Sequence, residues 1–188
     1  YVRIVAHAAG CGTRATERVF TAALLHDVGK IHEEFAVILR KPGRLTNAEF
    51  AVMKSHSEKG ATLVAKVTQF HDLVPTVRGH HEAWDGSGYP DGLVAENIPL
   101  WARIIAFADT IDAMTTDRPY RQGLESELVR IEIREQAGRQ FDPRISEQIT
   151  SDRYWLQIVE AVRSSRPVRR STPISTAVVS RQALVVGI

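Results

Sequence analysis

The sequence predicts an all-α fold, and three observations carry that prediction. Apolar residues recur at helical spacing nearly throughout the 188 residues. Breakers are sparse, and only Asp85-Gly86-Ser87-Gly88-Tyr89-Pro90-Asp91-Gly92 is dense enough in them to force a compact loop. The composition, 44% hydrophobic and 24% charged, is that of an ordinary globular domain. A chain of this length buries a sizeable core without cross-links.

The elements follow in order. Tyr1-Val2-Arg3-Ile4-Val5-Ala6 reads as helix interior, so an N-terminal helix truncated at its start, with further sequence upstream, is expected. Val19, Ala22, Ala23 and Leu25 form the apolar stripe of a helix ending near Gly29. Lys41-Pro42-Gly43 is a turn signal. Thr46-Asn47-Ala48-Glu49 fits a capping box. The helix it opens shows Phe50, Met53, Gly60, Leu63, Val64 and Val67 on one face. After the Gly-rich loop, a strongly apolar helix runs from about Leu100 to Met114, and another from Glu125 to about Ala137, stopped by Gly138. A last helix runs from about Arg153 to Val162, followed from Arg163 by a basic, breaker-rich linker and a tail.

The net charge of +2 is unevenly shared: residues 151–188 carry +4 and the rest −2. The main body is therefore not a broad nucleic-acid-binding surface. A single cysteine, Cys11, excludes an internal disulfide framework and suits a reducing compartment. Apolar runs such as Ile104–Ala108 are far too short to span a bilayer, and no signal peptide is visible. A cytoplasmic location is expected.

Four of the seven histidines stand in unusual places. His26-Asp27 closes an apolar helix, His56 lies near the inward face set by Phe50, Met53 and Gly60, and His80-His81 precedes the Gly-rich loop. Asp109 shares a helical face with Ile105 and Ala108, which turns a carboxylate toward packed surface. An unpaired buried carboxylate costs several kcal/mol, roughly, so Asp27 and Asp109 need compensation. A divalent cation is the simplest single answer, and mixed imidazole and carboxylate ligands suit iron, manganese or zinc. Each feature alone has a plainer explanation: a chance dipeptide, a satisfied core histidine, a solvated pair, or Asp109 partnered by Arg103. Their combination is what argues for a site. His7, His32 and His71 read as surface or packing residues.

Beyond these residues, His26-Asp27-Val28-Gly29-Lys30, Lys41 to Thr46, His56 and the eleven-residue run His80-His81-Glu82-Ala83-Trp84-Asp85-Gly86-Ser87-Gly88-Tyr89-Pro90 resemble the HD-GYP family. The resemblance continues through Ile98-Pro99-Leu100, Ala102-Arg103-Ile104, Ala108-Asp109, Arg118-Pro119-Tyr120-Arg121 and Gly138 to Pro143. It implies an HD-domain bundle of about five to seven helices. It implies a domain over residues 1–150 that hydrolyses cyclic di-GMP to pGpG or onward to GMP, with 151–188 a terminal helix, linker and tail of unassigned role. Implied metal ligands are His26, Asp27, His56, His80, His81 and Asp109, with Asp27 bridging two divalent ions, iron or manganese, and a third ion as a variant. The implied nucleophile is a hydroxide shared by the ions. Asp27 and Lys30 would be catalytic, Lys30 holding a phosphate oxygen, and Tyr89, Arg118 and Arg121 would contact substrate. Implied partners are an attached or separate receiver or sensor domain, diguanylate cyclases and a second copy in a homodimer.

Three departures stand beside the resemblance. The family's further upstream histidine would fall before Tyr1. Lys30-Ile31-His32-Glu33-Glu34 replaces a turn sequence and reads as continued helix. The family motifs do not cover 151–188. Two alternatives are an HD-superfamily phosphohydrolase for another nucleotide, and a cyclic di-GMP-binding module with little catalysis.

Overall fold

The computed structural model describes residues 1–41, 43–117 and 122–165. Pro42, Arg118, Arg121 and the tail from Arg166 onward lie outside the described residues. The order of helices is α1 (Val2–Ala8), α2 (Thr13–Leu25), α3 (Glu33–Leu39), α4 (Asn47–Lys54), α5 (His56–Val64), α6 (Val74–Gly79), α7 (Leu100–Thr115), α8 (Ser126–Glu135), α9 (Pro143–Ile149) and α10 (Asp152–Ser165). Short 3₁₀ turns cover Val28–Ile31, Thr68–Leu73 and Ala95–Asn97. Among the described residues the only β pairing is two isolated bridges, Asp85 with Val94 and Ala137 with Phe141.

α7 is the spine. It buries Ala102, Ile104, Ile105, Phe107, Ala108 and Ile111 on the faces that meet α1, α2, α6 and α8. An all-round apolar helix is what a central element of a helical domain requires. Phe107 stacks on Phe141 with ring centroids 4.5 Å apart, tying α7 to the turn before α9. Val129 and Ile133 of α8 and Trp155, Ile158 and Val162 of α10 join the same core. The terminal helix therefore packs on the body it follows. A second, small apolar cluster stands apart: Phe35, Ile38 and Met53, with Leu45 against them.

Two stretches expected as single helices are divided, and α6 and α9 add two helices the periodicity did not mark, so that ten α-helices stand among the described residues where about five to seven were expected. The chain does not continue helically past Lys30. It tightens into the 3₁₀ turn Val28–Ile31, extends at His32 (φ −67°, ψ 141°) and restarts as α3. Glu33 and Glu34 in the first turn of α3 suit a new N-terminus, where negative charge meets the positive helix end. The helix opened by Thr46 also stops, at Ser55, and α5 restarts at His56. There the Ser55 hydroxyl donates to the Val52 carbonyl and His56 Nδ1 bonds the Met53 carbonyl. Side chains thus take over the last carbonyls of α4. Val67 consequently lies outside any common face with Phe50 and is exposed. The capping box itself is present: Thr46 Oγ1 accepts from Glu49 N, and the Glu49 carboxylate accepts from Thr46 N at 2.7 Å.

Candidate metal centre

Three imidazoles are held by one local device. His26 follows the last residue of α2, His80 follows the last residue of α6, and His56 lies just beyond the end of α4. In each, Nδ1 lies 2.7 Å from the carbonyl oxygen three residues back: Ala23, Met53 and Val77. The last carbonyls of a helix lack intrahelical donors, and a histidine N–H placed there satisfies one. The same bond selects the tautomer. With Nδ1–H donated to backbone, Nε2 is left as a lone pair, aimed by the helix end.

Those lone pairs converge on Asp27. Its Oδ1 is 3.3 Å from His56 Nε2 and 4.0 Å from His80 Nε2. Its Oδ2 is 3.5 Å from His26 Nε2 and 2.8 Å from Lys30 Nζ, which donates to it. One ligand atom from each of Asp27, His56, His80 and His81 falls within 4.8 Å of the others. Asp109 Oδ1 lies 4.0 Å from the same His26 Nε2. All six residues expected as ligands are therefore brought together, and Lys30 joins them. Tyr89 lies beside them, its ring stacked on His81 at 4.8 Å. Arg118 and Arg121 lie outside the described residues.

The arrangement fits a cation. His56 Nε2 and His80 Nε2 are 3.2 Å apart, and both are the unprotonated nitrogen of their ring. Two lone pairs at that distance repel unless a positive centre sits between or beside them. Asp27 Oδ1 is buried and accepts no hydrogen bond, a state that native proteins rarely leave uncompensated. Burial drives both rings of the tandem pair toward neutrality, His80 well below the usual range and His81 down to about 3, with neighbouring imidazole charge adding to the effect. Burial also works against ionising Asp27, but His56 and His26 in their protonated forms, together with Lys30, outweigh it and hold the carboxyl well below the usual range. Burial pushes the Asp109 carboxyl up, and the charge of Asp27 adds to that against the pull of His26. Ready ligands at neutral pH are neutral imidazoles beside an ionised carboxylate.

Close backbone contact makes the convergence possible. A Cβ on Gly29 would sit 1.9 Å from the His56 carbonyl oxygen and 2.6 Å from Gly60 N. The 3₁₀ turn after Asp27 therefore crosses α5 with no side chain between them, which brings Asp27 to His56. Gly88 is equally constrained: its Cβ would lie 2.2 Å from Ala83 N, so the Gly-rich loop folds back directly onto the chain after His81.

Sequence reasoning missed two structural supports. Glu82, buried, receives Asp91 N at 2.7 Å and Leu93 N at 3.0 Å, and so fixes the loop from inside. Arg103 pairs with buried Asp142 at 2.7 Å rather than with Asp109. Asp142 also caps α9 through Arg144 N and Ile145 N. The signal for Glu82 was its place inside the His-His-Glu run; for Asp142, its place before Pro143 at a helix start. His7, His32 and His71 are exposed.

The centre opens into a cleft of about 330 Å³ whose walls include Phe50, Lys54, Tyr89, Asp109, Arg139 and Gln140. Lys54 Nζ lies over the rings of Phe50 and Tyr89, 5.3 and 5.9 Å from their centroids. The cleft thus combines a ligand cluster, cationic groups and an aromatic wall. Among the described residues no helix is long and apolar enough to cross a membrane.

Known proteins resemble this chain over most of its length. A cyclic di-GMP phosphodiesterase response regulator of Xanthomonas campestris pv. campestris is 40% identical over 158 residues, 82% of this chain and 41% of that protein. A 3′3′-cGAMP-specific phosphodiesterase of Vibrio cholerae is 36% identical over 169 residues, 89% of this chain and 32% of that protein. The chain thus spans less than half the length of these relatives. A crystal structure of a V. cholerae cyclic GMP-AMP-specific phosphodiesterase superposes with a TM-score of 0.60 at 18% identity, covering 88% of this chain and 47% of the other. That likeness shows the all-α fold. The HD domain family matches residues 1–145, the stretch that carries all six residues gathered at Asp27, and the chain belongs to that family.

Proposed function

We propose that the chain is a metal-dependent phosphodiesterase acting on a cyclic dinucleotide, with cyclic di-GMP cleaved to pGpG and onward to GMP. One observation carries the reading: the two oxygens of Asp27 face different imidazoles, Oδ1 toward His56 and His80 and Oδ2 toward His26. A carboxylate so placed suits a bridge between two cations, with His81 beside the first pair and Asp109 beside His26. The nitrogen and oxygen donor set suits iron or manganese. When bound, such ions supply Lewis acidity toward a phosphodiester and a water activated at neutral pH.

The chain's own groups do the rest. The imidazoles, fixed by their backbone tethers, would hold such ions together with Asp27, which supports transition-state stabilisation without reorganisation. The Lys30 ammonium, held 2.8 Å from Asp27, turns to a phosphate oxygen when Asp27 is engaged by cations. Tyr89 walls the cleft, and Arg118 and Arg121 are assigned to the second phosphate or base. The catalytic unit is residues 1–150, with α10 packed on it through Trp155 and Ile158. Regulation through a receiver or sensor domain is supported by the name of the Xanthomonas relative, and substrate supply would come from diguanylate cyclases. A cytoplasmic setting accords with the single cysteine.

A second reading, preference for 3′3′-cGAMP, is supported by the V. cholerae relative that aligns with 89% of the chain. Metal analysis of the purified protein together with chromatography of products from cyclic di-GMP and 3′3′-cGAMP tests both. Metal-dependent pGpG formation, abolished in Asp27→Ala, is the expected result. An Asp27→Ala protein with undiminished turnover would overturn the bridging role, and faster cleavage of 3′3′-cGAMP would replace the first substrate with the second.

A further inference from the structure

At the cleft wall formed by residues 136–141, one guanidinium is unusually free on an unusually fixed backbone. Gly138 adopts φ +79°, and the turn around it is pinned to the Gly-rich loop by Asp85 N donating to the Arg139 carbonyl at 2.8 Å and Trp84 N to the Gln140 carbonyl at 3.2 Å. Phe141, stacked on Phe107, and the buried Arg103–Asp142 pair anchor the far side. Nearby arginines are engaged: Arg78 with Asp91 and Glu58, Arg103 with Asp142, Arg130 with Asp152. Arg139 is exposed and lines the same cleft as the candidate ligand cluster, and its guanidinium makes no hydrogen bond or ion pair among the described residues.

Its surroundings choose between a phosphate and a base. Asp85 lines the cleft beside it, and one oxygen of that carboxylate is taken up by the Ser87 N–H and hydroxyl. Those two donors, and the nearby Arg139 charge, keep Asp85 ionised, its carboxyl below the usual range. A full negative charge there repels a phosphate. A neutral guanine is different. Its O6 and N7 are two acceptors matched to the fork of an arginine. Its N1–H and 2-amino group are donors matched to a carboxylate. Gln140, whose amide reaches Thr110 at 3.4 Å, closes the same wall with neutral polarity.

We propose that Arg139, with Asp85 beside it, is a specificity-determining residue that reads a guanine base of the substrate. This rests on the cyclic dinucleotide reading above. The test compares wild type and Arg139→Gln, both metal-loaded, on cyclic di-GMP, cyclic di-AMP (as substrate or competitive inhibitor) and bis(p-nitrophenyl) phosphate, with metal content measured in parallel. The expected result is a loss of about ten- to hundred-fold in kcat/KM for cyclic di-GMP, expressed mainly in KM. Cyclic di-AMP, the generic diester and metal content should stay unchanged. Equal losses on both cyclic dinucleotides would mean that Arg139 holds phosphate, and no loss on any would mean that it does not touch substrate; either overturns the proposal. Loss of metal or of generic diesterase activity would make the residue structural and overturn it as well. Wild-type protein that hydrolyses the generic diester but neither cyclic dinucleotide would instead refute the reading on which the inference rests.

Discussion

α7 and the α3–α4 lobe both supply the cleft, Asp109 from the first and Phe50 with Lys54 from the second, yet they stand on different foundations. α7 buries Ile104, Phe107 and Ile111 completely inside the main core. Among the described residues the lobe's buried apolar cluster is only Phe35, Ile38 and Met53 with Leu45 against them, and Val37 is left more than three-quarters exposed. Burial stabilises by roughly 25 cal/mol per Å² of apolar surface, so a four-residue cluster holds its segment far less firmly than a continuous core does. The difference teaches that ligand positions and cleft walls need not share stability. His80 and Asp109 are fixed to the main core, whereas the aromatic and cationic wall is lightly held. Local opening of a lightly held element is the ordinary way a site admits substrate.

Parallel truncations test that contrast most severely. Phe107→Ala should cost about 3–5 kcal/mol of global stability, read as a fall in the denaturant midpoint. Phe35→Ala should leave the global midpoint nearly unmoved, accelerate proteolysis within residues 32–45 and raise KM. Equal global losses would show that the lobe is part of the main cooperative unit. Gly29→Ala strikes the junction between them. With backbone on both sides of the added methyl, it should cost about 1–3 kcal/mol and weaken manganese binding at least ten-fold, read by calorimetric titration. Manganese at about one hundred times its dissociation constant should stabilise the wild type by about 2.7 kcal/mol, and should do so much less in His80→Ala.

The smallest effects lie at the start of α4. Thr46→Ala should cost about 1 kcal/mol, felt in the lobe and not in α7. Lys41 and the Thr46 backbone hold the Glu49 carboxyl down to about 2. A depressed folded pKa means that the unfolded chain takes up a proton first as pH falls. The contribution of this cap is therefore full above about pH 4.5 and lost between there and about 2. Amide exchange at Ala48 to Phe50 that rises across that window, while exchange in α7 does not, is the expected observation.

The same contrast explains what the sequence made legible. α7 was readable because burial on several sides leaves a long apolar run that no loop can mimic. The capping box at Thr46 was readable because its two hydrogen bonds need only residues three apart. The residues that gather around Asp27 were visible through their motifs, since chemistry restricts residue type at each one. The breaks at Ser55 and after Lys30 were not readable. The break at Ser55 comes with side chains bonding back to Val52 and Met53, and the one after Lys30 with contacts distant in sequence, His56 and Gly60 against Gly29, which no local periodicity encodes. Glu82 and the Arg103–Asp142 pair were hidden for the same reason: their partners are backbone amides and a carboxylate that only the folded chain brings near.

The three backbone tethers to Ala23, Met53 and Val77 carry a consequence for how the molecule breathes. Each imidazole is hung from the end of a different helix, so a pair of ions bridged by Asp27 would lace three separate stretches of chain into one knot. Fraying at any one helix end would then slacken the grip of the other two, and loading with metal should quieten all three termini together rather than one at a time.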